Sequence, residues 1–192
     1  MNMKKTNERF KSSLVAVGII ALALSSCKKD DDLVTVPPPD QNESELITTM
    51  KITFTDVASV QPTVTATFQD LDGPGGDAPG IFEEIILAPS TTYSAQILLL
   101  NETEMPADTI SNEVLEEAVD HLFCFSPSGA NVTITRTDTD GTYGVGLQSQ
   151  WVTGAASTGT TTIVLRHQPD IKDGTCTPGE IDIEINFVTK IQ

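Results

Sequence analysis

The sequence predicts an all-β fold, an antiparallel two-sheet sandwich with at most one short helix. Three observations carry this. Apolar and polar residues alternate in eight separate runs, the runs are rich in Thr, Val and Ile, and Asp-Gly or Gly-rich pieces fall between them. Period-two alternation sets one face of a strand against a core and the other in water, and β-branched residues suit the pleated surface. Eight such runs at this spacing favour two packed sheets.

Met50, Ile52 and Phe54 alternate with Lys51, Thr53 and Thr55, and Val64, Ala66 and Phe68 alternate with Thr63, Thr65 and Thr67. Further runs occupy 93–100, 121–126, 131–137, 143–152, 160–167 and 181–188. In the last and most regular, Ile181, Ile183, Ile185 and Phe187 oppose Asp182, Glu184 and Asn186. Turns come from 72–76, Asp140-Gly141, 154–159 and Asp173-Gly174, whose residues tolerate the positive φ of hairpin turns. One stretch reads as a helix, at about 112–119. Ser111-Asn112 can cap it, Glu113 suits its first turn, and Val114, Leu115, Ala118 and Val119 share a face. Trp151 is expected in or near the core.

Residues 1–26 read as a signal peptide. Lys4, Lys5, Arg9 and Lys11 precede an apolar segment, Leu14 to Leu24, that is too short to span a hydrocarbon core as a helix, which takes about 20 residues. Residues 27–45 are acidic, contain Pro37-Pro38-Pro39 and read as a semi-extended tether, and 46–192 form a single domain. Residues 1–26 hold four basic residues and one acidic residue. The remaining 166 residues therefore carry seven basic and 26 acidic side chains, a formal net charge of −19. That field repels nucleic acid and anionic lipid head groups.

Leu24-Ser25-Ser26-Cys27 resembles the lipobox of bacterial lipoproteins, which implies that Cys27 becomes an acylated N-terminus and the protein meets the membrane through lipid. Lys28-Lys29-Asp30-Asp31-Asp32 is similar to the surface-export signal of Bacteroidota-type lipoproteins. It implies attachment to the outer membrane, with the domain facing outward in preference to the periplasm. Leu87-Ala88-Pro89-Ser90-Thr91-Thr92-Tyr93 resembles the Leu-x-Pro-x-Thr-x-Tyr segment of fibronectin type III domains. This implies an Ig-like or fibronectin-like sandwich with extra strands. Tyr93 would form a tyrosine corner bonded to upstream backbone, with Ile97 and Leu99 in the core. The chain is also similar to small Bacteroidota lipoproteins labelled "type 1 periplasmic binding fold superfamily", on Ala88–Tyr93, Trp151–Ala156 and Arg166–Asp170. The α/β fold in that label conflicts with the strand pattern and needs a longer chain. The kinship implies an accessory role beside an outer-membrane transporter or other envelope protein.

Beyond Cys27, Cys124 and Cys176 form an even pair, a possible disulfide in an exported protein or two small buried hydrophobes. Alternation places His121 on the face of Phe123 and Phe125, and His167 on the face of Ile163 and Leu165. If those strands are neighbours, the imidazoles meet, with Glu117, Asp120 or Asp170 as further ligands for zinc or copper. A haem gripped by both histidines is a related expectation. The alternative is two unrelated rim histidines bonded to backbone. Asp70-Leu71-Asp72-Gly73, with Asp77, and Asp138-Thr139-Asp140-Gly141 resemble the opening of calcium loops but lack the later ligands, so plain Asp-Gly turns are the competing reading. Asp108-Thr109-Ile110 looks like an O-glycosylation acceptor of exported Bacteroidota proteins, with Thr109 as the modified residue.

Motifs for catalysis are missing: no Gly-x-Ser-x-Gly, no His-Glu-x-x-His and no phosphate-binding Gly-Lys-Ser/Thr occurs. The sequence therefore reads as a membrane-anchored, non-enzymatic binding or accessory module with no cofactor required. The alternatives are metal or haem capture by His121 and His167, and a carboxylate-based glycan hydrolase.

Overall fold

The computed structural model describes residues 46–73 and 75–192, so the expected signal peptide, Cys27 and the tether lie outside the described residues. Ten strands and one helix follow in chain order. They are β1 (Thr49–Asp56), β2 (Val64–Gln69), β3 (Ile81–Phe82), β4 (Ile85–Leu87), β5 (Thr92–Leu100), α1 (Ile110–Glu116), β6 (His121–Ser128), β7 (Val132–Arg136), β8 (Gln148–Thr153), β9 (Ser157–His167) and β10 (Glu180–Ile191). Six strands make one sheet in the order β3-β2-β1-β5-β8-β7, and four make a second in the order β4-β10-β9-β6. The pairs are antiparallel except for β4, which runs parallel to the end of β10. The fold is the expected all-β sandwich, and alternation produces it. Met50, Ile52 and Phe54 of β1, Ala95, Ile97 and Leu99 of β5, and Trp151 of β8 share one core with Phe123, Ile163, Leu165, Ile185 and Phe187 of the other sheet.

Between β4 and β5 the chain crosses from one sheet to the other. Here the Ala88 N–H donates to the buried Tyr93 hydroxyl at 3.0 Å, so the tyrosine oxygen is the acceptor of a backbone hydrogen bond. Thr153 locks the same corner from β8, donating its hydroxyl to the Ala88 carbonyl (2.7 Å) and accepting the Thr91 N–H (2.9 Å).

Four local expectations need correction. The helix begins at Ile110, and Ser111 does not cap it: its Oγ instead accepts the Leu99 N–H at 2.6 Å. Leu115 and Val119 are exposed, and Ile110 and Val114 are the buried positions. The run 143–152 becomes a strand only from Gln148, because Gly146 (φ 102°) breaks the extended path while Val145 and Leu147 still reach the core. β3 and β4 are too short to show a period. Lastly, β10 carries a bulge between Ile181 and Ile183: Ile181 pairs with Arg166 and Ile183 with Leu165, which leaves Asp182 as the extra residue. One inserted residue reverses the facing of everything before it. Ile181 is accordingly 47% exposed, not inward.

The β9–β10 loop is fastened over one end of the four-stranded sheet. Cys124 and Cys176 are joined by a disulfide. Gln168, fully buried, donates from Nε2 to the Thr175 and Pro178 carbonyls. Lys172 Nζ donates to the Ala118 carbonyl and to Asp140 Oδ2, both at 2.7 Å. Among the described residues, no helix is long and apolar enough to cross a membrane.

Candidate metal centre

His121 opens β6 and His167 closes β9, and the two are direct partners in the antiparallel register. Residues opposite each other on one face of a sheet bring their side chains together. The imidazoles stack with centroids 4.8 Å apart and planes 10° from parallel. Glu117, the C-cap residue of α1, completes a group whose ligand atoms all lie within 4.8 Å of one another. Four-coordinate zinc, with bonds of about 2.0–2.1 Å, sets ligand atoms roughly 3.4 Å apart. The group thus closes on an ion by side-chain shifts of about 1 Å and a turn of one ring about its soft χ2 torsion.

His121 is prepared for such a role. Its Nδ1 lies 3.1 Å from the Glu117 carbonyl. A carbonyl only accepts, so Nδ1 carries the proton and Nε2 presents its lone pair. This is how metal-bound histidines are usually oriented, by donation of the other ring N–H to backbone or carboxylate. Burial holds the His121 pKa below its ordinary value, opposed by the bond to Glu117 and aided by the charge of His167, so the neutral ring dominates at pH 7.

Asp182, which alternation sends to the solvated face, is the residue that sequence reasoning missed. The bulge turns its side chain inward, to 6% exposure, with Oδ2 4.0 Å from His121 Nε2. Burial raises its pKa to about 6, with a further rise from Glu180 and opposition from His167. The regular pattern 181–187 contains no trace of the bulge. The approach of β10 to His167 is instead governed by Gly179 (φ 83°), where a Cβ would sit 2.1 Å from the His167 carbonyl oxygen.

The other named residues do not join this group. Asp120 gives its carbonyl to the Gln168 N–H at 2.6 Å, and Asp170 (φ 60°) lies in the loop outside it. Asp70 Oδ1 accepts the Gly73 N–H at 3.1 Å and Asp72 Oδ2 the Asp77 N–H at 2.7 Å, so both carboxylates serve their own turn. Asp138 accepts the Gly146 and Gln148 N–H groups. Thr109 is the N-cap residue of α1 and makes no side-chain capping bond. At the opposite end of the sandwich a groove of about 580 Å³ runs between the β1–β2 and β4–β5 loops, where Asp56 accepts the N–H groups of Ala58, Val60 and Gln61. Comparison of the chain with protein-family models, with curated proteins and with solved structures finds no match.

Proposed function

We propose that this protein is an exported, lipid-anchored and non-enzymatic module that captures a transition-metal ion, zinc or copper, through His121, His167 and Glu117. The carrying observation is the direct pairing of His121 with His167 beside Glu117, in a group of three ligand atoms within 4.8 Å. Imidazole and carboxylate together suit borderline divalent ions. The geometry favours a compact ion over haem. Both rings project from the same face of adjacent strands, whereas an iron held through both faces of a porphyrin needs opposed rings. Attachment at Cys27 and the outer-membrane location with outward exposure rest on the lipobox and its acidic flank, and a partnership with an envelope transporter rests on the resemblance to small Bacteroidota lipoproteins. A tethered domain that collects an ion and passes it to such a transporter unites both readings.

The test is calorimetric titration of the purified protein with zinc and with copper(II). Wild type is expected to bind one ion, and His121→Ala/His167→Ala to lose roughly a hundredfold or more in affinity. Equal binding by the two proteins, or none by wild type, would remove the proposal.

A further inference from the structure

We infer that Asp182 is the fourth ligand of this centre, its Oδ2 joining His121, His167 and Glu117 around one divalent cation; the inference rests on the metal-capture reading above. Two independent features point to a ligand.

The first is backbone geometry. A regular β10 would hold Asp182 on the same solvated face as Glu184 and Asn186. The bulge withdraws it from the ladder and aims it at His121. Bulges are used in this way to redirect a side chain beside a functional site.

The second is an unanswered acceptor. Asp182 Oδ2 is buried and has no hydrogen-bond partner among the described residues, although buried carboxylate oxygens almost always find donors. The cationic side chains of Arg166 and Lys172 bind elsewhere: Arg166 donates to the Gly179 carbonyl at 3.0 Å, and Lys172 is held by Asp140 and Ala118. His121 Nε2, the atom nearest in kind, is 4.0 Å away, beyond hydrogen-bond range. Tetrahedral zinc sets its ligand atoms roughly 3.4 Å apart, so a side-chain shift of about 0.6 Å brings both atoms onto one ion.

The ligand charge then names the class of ion. Two neutral imidazoles and two carboxylates contribute −2, which a divalent ion cancels inside a site with His121 and Asp182 buried. Zinc, cobalt(II) and copper(II) fit this set. Copper(I), monovalent and drawn to sulfur ligands, does not.

The experiment compares wild type, Asp182→Asn, Asp182→Glu and His121→Ala/His167→Ala, each titrated with zinc and with cobalt(II) followed by visible absorption. Asp182→Asn is expected to bind zinc at least about tenfold more weakly and to shift the cobalt bands, and Asp182→Glu to recover part of the affinity. The metal-free Asp182→Asn protein should melt no lower than wild type, because the change removes a buried carboxylate that lacks a donor. If Asp182→Asn binds zinc and cobalt as wild type does while the double histidine variant does not, Asp182 is no ligand and the metal reading stands. If wild type binds neither ion, the underlying reading fails and takes this inference with it.

Discussion

Replacing Lys172 by Met tests how the β9–β10 loop is held over its end of the sandwich. Lys172 is 4% exposed along its side chain, as is Asp140, and Nζ bridges Asp140 Oδ2 and the Ala118 carbonyl. The methionine keeps most of the packing volume and removes the charge with both hydrogen bonds. Losing one partner of a buried pair costs about 3–5 kcal/mol because the other charge is stranded. Asp140 keeps two donors on Oδ1, the N–H groups of Thr142 and Tyr143, so the lower part of that range applies, about 3 kcal/mol. For a domain of this size that lowers Tm by about 6–12 °C.

The same pair makes an acid signature. Burial raises the Asp140 pKa, but the Lys172 bond and the Tyr143 and Thr142 N–H groups outweigh it and hold the folded value at about 2, against 3.8. A depressed carboxylate contributes stability that is present above the unfolded pKa and lost as pH falls from about 4 toward 2. After allowance for solvent screening this amounts to about 1–2 kcal/mol. Urea denaturation of the metal-free protein at pH 7, 4 and 2.5 reads both effects, and Lys172→Met should flatten the acid limb as well as lower the plateau. A variant that melts within about 2 °C of wild type, or that keeps the full acid limb, would refute this account of the pair.

Three further outcomes follow. Tyr93→Phe leaves the Ala88 N–H without its acceptor and should cost about 1–2 kcal/mol in urea denaturation, with the fold retained by circular dichroism. At Gly159 an added Cβ would lie 2.2 Å from both the Ala130 nitrogen and the Ser128 oxygen, so Gly159→Ala forces β9 away from the β6–β7 turn. Its expected cost is about 2–3 kcal/mol, read as a lower urea midpoint. Cys124→Ser/Cys176→Ser opens a loop of 52 residues and should destabilise by up to about 4 kcal/mol, with the loss matched by wild type under a dithiol reductant.

The strands and their inward residues were legible because alternation is a local property: Met50, Ile52 and Phe54 need no partner to declare a face. The inward direction of His121 and His167 was legible for the same reason. Their meeting was not, since it depends on β6 pairing with β9 across an intervening stretch that belongs to the other sheet. Asp182 was misread outright. The regular Ile181 to Phe187 pattern is the same with or without a bulge, and the extra residue shows only in the pairing of β10 with β9. Ser111 failed likewise, because its hydroxyl found the Leu99 N–H, a partner outside its own segment.

The parallel pairing of β4 with β10 has a kinetic consequence. Ile85 meets Thr189, 104 residues later, and β10 lies between β4 and β9. No ladder is available to β4 until Ile191 has emerged, and Ile185, Phe187 and Ile191 complete the core only then. Contacts so distant in sequence close slowly, since the entropy of a long loop is lost before any contact repays it. The four-stranded sheet is therefore expected to close later than the pairing of β1 with β2 and β5, whose partners lie nearer in sequence.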